Sequence, residues 1–382
     1  MKTGKVVIGA NYGDEGKGLL TDYFASQDPE NSVVVRFNGG AQAGHTVVVS
    51  DGRRHVFSHF SSGSFVGCPT YLSKFFVVNP IIFTKELESL RALNVTPSSF
   101  VSADAILTTP YDMFINQQVE LKRGANNHGS CGLGINETVT RSFSDLSNLV
   151  QVKDILDKNK LYEKLIHLSK GWFPQRLQQL GHVELTPELA NFIDKQDQIL
   201  KSFIRDADNL ADRSLVTNDY FNFKRVIFEG AQGLMLDEDR LDQFPHVTRS
   251  KTGLMNVLHL ASKFGVERLD VTYVTRTYLT RHGAGPLEGE CDWKFPDATN
   301  IPNQFQGTLR FAPLNKEILQ RNIAIDLSRA KFASIDVRPN IAITCTDQMP
   351  TPNLRDSFVP VKYFSEGPTR QHVRRAILAG LR

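Results

Sequence analysis

The sequence has few cysteines, and their spacing matches no common metal or disulfide pattern. Among 382 residues there are four cysteines, with no CxxC pair and no pair of histidines beside them. This spacing argues against a zinc site and favours free thiols in a reducing compartment. The four are Cys68, Cys131, Cys291 and Cys345.

Long apolar runs and an excess of one charge are also missing. No stretch approaches the roughly 20 apolar residues of a membrane span. The sequence opens on a strand pattern, without a basic-then-apolar leader. The formal net charge is only +3, which does not favour nucleic acid or an acidic membrane as a partner. We therefore expect a cytoplasmic protein that binds neither.

The sequence does contain short apolar runs, each followed by a polar turn that often includes glycine. In the first 50 residues the pattern predicts a strand at 5–10, a helix at about 16–26 and a strand at 32–37, which is a βαβ unit. Further strands are predicted at 225–228, 269–274 and 340–344. We expect an α/β fold with a mostly parallel sheet, whose ligands bind at the carboxyl ends of the strands.

We treat the chain, residues 1–382, as a single domain with a charged helical segment at about 145–222. The C-terminal stretch Thr369–Leu381 is predicted to be an amphipathic helix. Its arginines fit a solvated helix face and nucleotide contact about equally well. They are Arg370, Arg374 and Arg375.

The first turn, GDEGKG at residues 13–18, resembles a phosphate-binding loop but departs from the Walker pattern. Asn11 holds the place of the first glycine, and Gly18 holds that of the hydroxyl residue. The glycines permit close approach to a ligand, and the following helix offers N–H groups to phosphate. Asp14 fits either a Mg²⁺ ligand or a base that takes a proton from a substrate. A glycine-rich turn that caps a helix, with Asp14 or Glu15 stabilising its first turn, is the alternative.

Other glycine-rich turns follow further strands, and a second one carries a histidine, His45. A histidine beside a phosphoryl group would stabilise the charge that develops during transfer. Asp347 follows the last predicted strand, where it fits either recognition of guanine or a simple turn. The turns that carry this chemistry lie at 37–46, 228–233, 244–248, 281–286 and 344–347.

In this order the motifs resemble the adenylosuccinate synthetase family. They are GDEGKG, GG-x-x-AGHT, EGAQG, P-x-VT, GAGP and a terminal GP, spread from about residue 6 to 370. The resemblance implies a fold related to the P-loop NTPases, with helices on both faces of a mostly parallel sheet. It also implies a homodimer that uses GTP and Mg²⁺ to phosphorylate O6 of IMP and then adds aspartate to give adenylosuccinate.

The resemblance also implies roles for individual residues. Asp14 matches the catalytic base, His45 the acid at the phosphoryl group, Lys17 a phosphate contact and Gln232 the holder of the activated purine. Asp14 and Gly44 match the contacts to Mg²⁺. Arg141 matches an arginine that reaches into the partner subunit, and Thr308 with Arg310 matches the aspartate loop. The implied contacts to the nucleoside triphosphate are Gly13, Glu15, Gly16, Gly18, Gly44, Thr46, Asp347, Ser365, Gly367 and Pro368. Those to the purine monophosphate are Gln42, Ser130, Cys131, Arg141, Gln232, Thr248 and Gly283.

Departures from the family pattern leave alternatives open. The family's arginine-rich loop that binds aspartate keeps one arginine here, Arg310. One guanidinium can still bind one carboxylate bidentately. Binding of both carboxylates of aspartate would need a contribution from Arg276 or Arg281. Cys345 stands where the guanine signature of the family has a lysine, which leaves GTP or ATP as the phosphoryl donor. The family's phage relatives act on dGMP and usually replace the loop aspartate by serine, so Asp14 favours a substrate of the IMP kind. A regulatory nucleotide-binding protein that has lost amination is the alternative from another class.

Overall fold

A computed structural model describes residues 2–123, 132–181, 184–218, 223–295, 308–354 and 356–376. Its strands, within those residues, are β1 (Thr3–Gly9), β2 (Ser32–Arg36), β3 (His45–Val48), β4 (Arg54–Phe57), β5 (Thr70–Leu72), β6 (Ser99–Val101), β7 (Ser214–Val216), β8 (Arg225–Gly233), β9 (Arg268–Arg276), β10 (Tyr278–Arg281), β11 (Arg310–Pro313), β12 (Asp336–Thr344), β13 (Val361–Ser365) and β14 (Val373–Arg375).

Ten of these strands form one central sheet, in the order β14-β13-β12-β9-β1-β8-β2-β5-β6-β7. All neighbouring pairs are parallel except β13 with β14. Two antiparallel hairpins, β3–β4 and β10–β11, lie outside the sheet. The expected mostly parallel sheet is confirmed. The predicted strands coincide, to within one residue at their ends, with parts of β1, β2, β8, β9 and β12.

The helices of the described residues are α1 (Lys17–Ala25), α2 (Pro80–Ala92), α3 (Pro110–Arg123), α4 (Ile135–Ser142), α5 (Lys158–Lys170), α6 (Trp172–Gln179), α7 (Pro187–Asp194), α8 (Gln196–Arg213), α9 (Leu254–Lys263) and α10 (Lys316–Ser328). In that part of the chain, no helix combines the length and the apolar character needed to cross a membrane.

Alternate residues of β1 show that helices cover both faces of the sheet. Val6 and Ile8 pack in one buried cluster with residues of α9 and α10, such as Leu260 and Ile323. Val7, which points to the opposite face, packs with residues of α1. The expected arrangement of helices on both faces is therefore confirmed.

The predicted helical segment at about 145–222 contains α5, α6, α7 and α8. Their apolar residues join a further buried cluster with α2 and α3, which includes Leu165, Phe203 and Leu210. The segment also contains β7, which pairs with β6 at the edge of the central sheet. The helical segment thus packs on the sheet and supplies its last strand.

The predicted C-terminal helix is wrong for the residues that the structure describes. Val373–Arg375 is strand β14, antiparallel to β13, and residues 377–382 lie outside the described residues. Pairing with an existing edge strand outweighs the weak preference of a short segment for helix. Two of the three arginines have carboxylate partners. Arg370 Nε lies 2.8 Å from Oδ2 of the buried Asp22, and Arg374 Nη2 lies 3.3 Å from Glu366 Oε1 at the surface.

Candidate active site

The loop between β1 and α1 holds one of its own carboxylates. Glu15 Oε1 accepts hydrogen bonds from the backbone N–H groups of Asn11 (3.1 Å) and Gly13 (2.8 Å). Glu15 Oε2 lies 2.7 Å from Lys17 Nζ, and both side chains are buried. Neighbouring backbone N–H groups of this kind bind anions, and here the Glu15 carboxylate is that anion. Glu15 and Lys17 are therefore partners inside the loop in this structure.

Side chains from three strands hold the other side of the same loop. The carbonyl oxygens of residues 13–15 accept hydrogen bonds, in that order, from Thr280 Oγ1 (3.0 Å), Arg276 Nε (2.6 Å) and Thr344 Oγ1 (2.7 Å). The loop is thus fixed through its carbonyl oxygens as well as through its N–H groups.

The backbone carbonyl oxygen of Asp14 accepts a hydrogen bond, whereas its side chain has no hydrogen-bond partner among the described residues. Its φ of 62° is left-handed, a conformation that aspartate tolerates better than most residues. The side chain is partly exposed, and it forms no hydrogen bond or ion pair with any described residue. A carboxylate in this state can accept a proton or bind a cation.

Gly18, which replaces the Walker hydroxyl residue, is required by close packing. A Cβ atom at this position would lie 2.9 Å from the carbonyl oxygen of Thr46 and 3.1 Å from the Cβ of His45. The start of α1 therefore lies directly against β3, the strand that begins with His45. This contact brings the first and second glycine-rich loops together.

His45 is fixed by a buried carboxylate that sequence reasoning did not select, Glu229. Its Nδ1 lies 2.8 Å from Glu229 Oε1, and Ser62 donates to the same carboxylate from its Oγ and, at 3.2 Å, from its backbone N–H. Arg36 Nε lies 4.0 Å from Glu229 Oε2, and both of these side chains are fully buried. A glutamate directly after the apolar run of a buried strand was the signal that could have identified Glu229.

Burial and charge set the protonation of this pair. Burial lowers the pKa of His45, against the raising effect of the Glu229 carboxylate. Burial alone would raise the pKa of Glu229, but the positive charges of His45 and Arg36 and the hydrogen bonds lower it to about 2. The carboxylate is therefore ionised. His45 Nε2 is buried and has no hydrogen-bond partner among the described residues.

Gln232 reaches the first loop because β8 bulges beside it. Val7 pairs with Glu229 and Gly9 with Gly233, so β8 has three residues between these pairs where β1 has one. Gln232, within the bulge, has a φ of 63°. Its Oε1 lies 3.9 Å from the position that a Cβ atom of Gly13 would occupy.

The second loop and the bulge of β8 are also joined. Asn38 donates to the carbonyl oxygen of Ala231 (3.0 Å) and accepts from its N–H group (2.8 Å). Gln42 lies next to Gly39 and Gly40, and its Oε1 is buried without a partner among the described residues. Gly44, at the end of this loop, is exposed.

The predicted purine-monophosphate residues are only partly brought together. Thr248 lies on a loop that returns to the end of β8, where its N–H donates to the carbonyl oxygen of Leu236 (2.8 Å). Gly283 lies in the turn after β10. Ser130 and Cys131 lie outside the described residues.

Arg141 is held inside its own chain in this structure, and its expected contact with a partner subunit stays a prediction. The side chain is fully buried, with Nε 2.9 Å from Asp112 Oδ1 and Nη2 2.7 Å from the carbonyl oxygen of Leu107. Asp112 lies 29 positions earlier, on α3, too far along the chain for a local pattern to indicate this pair. An ion pair buried in this way fixes α4 on α3.

The residues predicted to contact the guanine base of the triphosphate come together at the carboxyl ends of β12 and β13. Thr346 donates to the carbonyl oxygen of Ser365 from its N–H group and its Oγ1, each at 3.1 Å. Ser365 Oγ donates to the carbonyl oxygen of Gly367 (2.7 Å). Asp347 and Pro368 are exposed beside these contacts. An exposed carboxylate next to an ordered turn is available to a ligand.

The predicted amino-acid residues lie on the β10–β11 hairpin. Arg310 Cα pairs with Arg281 Cα across it, and Thr308 is exposed just before β11. Arg281 is buried, and its Nη1 donates to Gln243 Oε1 (2.8 Å) and to the carbonyl oxygen of Pro286 (2.6 Å). Arg276 Nε donates to the carbonyl oxygen of Asp14 in the loop between β1 and α1, called the phosphate loop below. In this structure both arginines thus donate to groups of their own chain.

The Asp14 carboxylate fits a magnesium ion of the kind that accompanies a nucleotide. The described residues contain no group of three or more histidine, cysteine, aspartate or glutamate side chains that could hold a metal. Mg²⁺ bound with substrate phosphates needs only one or two carboxylates, since waters and phosphate oxygens complete its shell. The uncommitted Asp14 carboxylate meets that need. At Gly44 a Cβ atom would lie 2.6 Å from Val56 Cγ1, so the glycine keeps the backbone close to β4.

Comparison with known proteins agrees with this architecture. The sequence model described as adenylosuccinate synthetase matches residues 6–307. An adenylosuccinate synthetase of Borrelia recurrentis is 28% identical over 354 residues, which are 88% of this chain and 77% of the relative. One from Trichormus variabilis is 32% identical over 305 residues, 75% of this chain and 62% of the relative.

Two solved structures share the fold. The fully ligated adenylosuccinate synthetase of Plasmodium falciparum aligns with a TM-score of 0.72 and 19% identity, covering 98% of this chain and 99% of the other. The succinoaminodeoxyadenylate synthetase of cyanophage S-2L, bound to dGMP and to dATP as an energy donor, aligns with a TM-score of 0.58 and 16% identity, covering 98% and 95%. With a family match over most of its length, the chain belongs to the adenylosuccinate synthetase family of purine nucleotide ligases.

Proposed function

We propose that this protein uses a nucleoside triphosphate, GTP in the first place, to phosphorylate O6 of IMP, and that aspartate then displaces the phosphate to give adenylosuccinate. The observation that carries the proposal is a pair of uncommitted groups. The Asp14 carboxylate and His45 Nε2 have no hydrogen-bond partner among the described residues. They lie on two strand-end loops that meet at Gly18.

In the first step, Asp14 accepts the N1 proton of the purine. O6 then attacks the γ-phosphorus, and the bond between that phosphorus and the departing diphosphate breaks. Negative charge beside His45 Nε2 favours the protonated ring, because an opposite charge offsets the effect of burial. Both ring N–H groups then donate, one to Glu229 and one to the phosphoryl group, which stabilises the charge of the transfer.

In the second step, the amine of aspartate attacks C6 of the purine. The bond between C6 and O6 breaks, inorganic phosphate leaves and the new nitrogen substituent loses a proton to solvent. In the proposed step Gln232, whose Oε1 lies near Gly13, holds the purine. Mg²⁺ held by Asp14 and the Gly44 carbonyl oxygen would neutralise charge on the phosphates.

The same chemistry on dGMP is the second candidate. It is favoured by the shared fold with the phage enzyme, whose structure contains dGMP and dATP. Asp14, which those phage relatives usually replace by serine, favours IMP. A regulatory nucleotide-binding protein is the third candidate, and a base and an acid kept without partners argue against it.

We also propose a cytoplasmic homodimer. Phe143 and Leu146, just beyond the buried Arg141, are 80% and 85% exposed, and we assign them to the interface. The described cysteines are free thiols, as expected in a reducing compartment. Sedimentation equilibrium of the wild type and of Phe143→Ser tests the dimer, and a monomeric wild type would refute it.

A matrix of phosphate-release assays tests the function. IMP, dIMP, GMP and dGMP are each combined with GTP or ATP, Mg²⁺ and aspartate, and the products are weighed by mass spectrometry. A succinyl-purine mass with IMP is the expected result, and the same chemistry with dGMP alone selects the second candidate. Phosphate release without an aspartate adduct would refute aspartate as the donor. No turnover under any condition would refute the ligase.

A further inference from the structure

Every N–H donor of Arg310 already has a partner within the chain. Its Nε donates to Glu290 Oε1 (2.9 Å) and its Nη2 to Glu290 Oε2 (2.8 Å). Its Nη1 donates to the carbonyl oxygens of Gly283 (2.8 Å) and Gly285 (3.0 Å), and its Nη2 donates also to that of Gly285 (2.9 Å). The five donors of a guanidinium are thus all occupied. The edge that binds a carboxylate bidentately is occupied by Glu290.

The two edges of this guanidinium differ in how firmly they are held. The Nη1 edge binds two backbone carbonyl oxygens of the turn after β10, whose Pro286 carbonyl oxygen is held by Arg281. The Nε–Nη2 edge binds one side chain, and in that pair Arg310 is 23% and Glu290 46% exposed. Exposed ion pairs are weak because water competes for both charges. Glu290 can therefore leave while the turn keeps Arg310 in its orientation.

Arg310 lies close to the proposed chemistry. Its Cα pairs with that of Arg281, whose guanidinium lies 4.5 Å from the ring of Tyr12 in the phosphate loop. Thr280, the neighbour of Arg281 on β10, donates to the carbonyl oxygen of Gly13. A ligand that exchanges with Glu290 would bind next to the loop that carries Asp14.

We propose that Glu290 is a specificity-determining residue that occupies the carboxylate-binding edge of Arg310 until a carboxylate of the amino-acid substrate replaces it. This proposal rests on the proposed function, because it presumes an amino-acid donor. An amine without a carboxylate cannot make the exchange and leaves Glu290 in place. The exchange thereby selects for an amine that carries a carboxylate although the loop keeps only one arginine.

The test compares Glu290→Gln with Glu288→Gln. Both changes remove one negative charge from the same exposed turn, but Glu288 forms no hydrogen bond or ion pair with the described residues. We expect Glu290→Gln to lower the KM for aspartate by about two- to fivefold, the range of a weak exposed ion pair. The inhibition constant of succinate, which carries the carboxylates but no amine, should fall by the same factor. The KM values for IMP and the triphosphate should stay within about 1.5-fold of the wild type.

An aspartate KM that is unchanged or raised in Glu290→Gln would overturn the exchange. An equal fall in Glu288→Gln would also overturn it, because the effect would then come from net charge alone. Thermal unfolding of both variants establishes that the fold is intact. Wild-type protein without aspartate-dependent turnover would refute the proposed function and this proposal together. Normal wild-type turnover with an unaltered aspartate KM in the variant refutes only the exchange.

Discussion

Substitution of Glu229 by glutamine tests how the fold controls His45. The change keeps the shape of the side chain and removes the charge that faces His45 Nδ1 at 2.8 Å and Arg36 Nε at 4.0 Å. Loss of one partner of a buried ion pair costs about 3–5 kcal/mol. Because the amide oxygen still accepts from Ser62, we expect the free energy of unfolding to fall by about 2–4 kcal/mol.

The substitution should impair catalysis as well as stability. Without the carboxylate, burial opposes protonation of His45 with little to offset it, and the phosphoryl group loses a hydrogen-bond donor. Since a positioned acid or base contributes about 10²–10⁴ in rate, we expect kcat for phosphate release to fall by about 10²-fold. Steady-state kinetics gives kcat, and urea unfolding gives the stability under the same conditions.

Glu86→Gln is the matched control. Glu86 is another buried carboxylate, which accepts from Ser58 Oγ (2.6 Å) and from the N–H group of His59 (2.6 Å) without touching His45. Its substitution should lower stability and change kcat much less. If folded Glu229→Gln kept kcat within twofold of the wild type, or if both variants lost it equally, the role given to Glu229 would be wrong.

Three further predictions follow from single contacts. Asp14→Asn should abolish phosphoryl transfer and leave the free energy of unfolding within about 0.5 kcal/mol, because its carboxylate loses only a through-space attraction to the charge of Arg276 and asparagine tolerates the left-handed backbone; substantial turnover would refute its role as base. Gly18→Ser should lower both stability, by about 1–3 kcal/mol, and kcat, because its Cβ would lie 2.9 Å from the Thr46 carbonyl oxygen, and an unchanged enzyme would contradict the packing argument. Burial lowers the pKa of His59 from 6.5 to about 4, so the unfolded chain binds a proton between these values that the folded chain does not. The free energy of unfolding should therefore fall by about 3 kcal/mol as the pH drops from 6.5 to 4, and His59→Gln should show a smaller fall; equal pH curves would refute it.

Features that depend on local patterns could be predicted from the sequence, whereas contacts between residues far apart along the chain could not. The strands around the phosphate loop were predictable because apolar runs and glycines are local signals, and the same signals placed His45 and Gln232 at strand ends. The burial of Arg141 was not predictable, since its partner, Asp112, lies 29 positions away. The satisfied state of Arg310 depends on a turn and a glutamate at least 20 positions earlier. Spacing alone says nothing of such pairs.

The C-terminal stretch shows a second limit. In β14, Val373 is buried and the two arginines after it are exposed. Three residues give too short a pattern to separate the period of a strand from that of a helix. The choice is made by the free edge of β13, to which no property of the stretch itself points.

The carbonyl contacts of residues 13–15 have a consequence for the affinity of the nucleotide. Restricting a flexible backbone costs about 1–2 kcal/mol per residue in conformational entropy. Three residues restricted during folding spare the nucleotide a cost of about 3–6 kcal/mol, which corresponds to about 10²–10⁴ in the dissociation constant. That advantage depends on hydroxyl and guanidinium groups of β9, β10 and β12. Thr344, at the far end of the chain and hydrogen-bonded to the loop at 2.7 Å, therefore contributes to nucleotide affinity through the entropy of the loop.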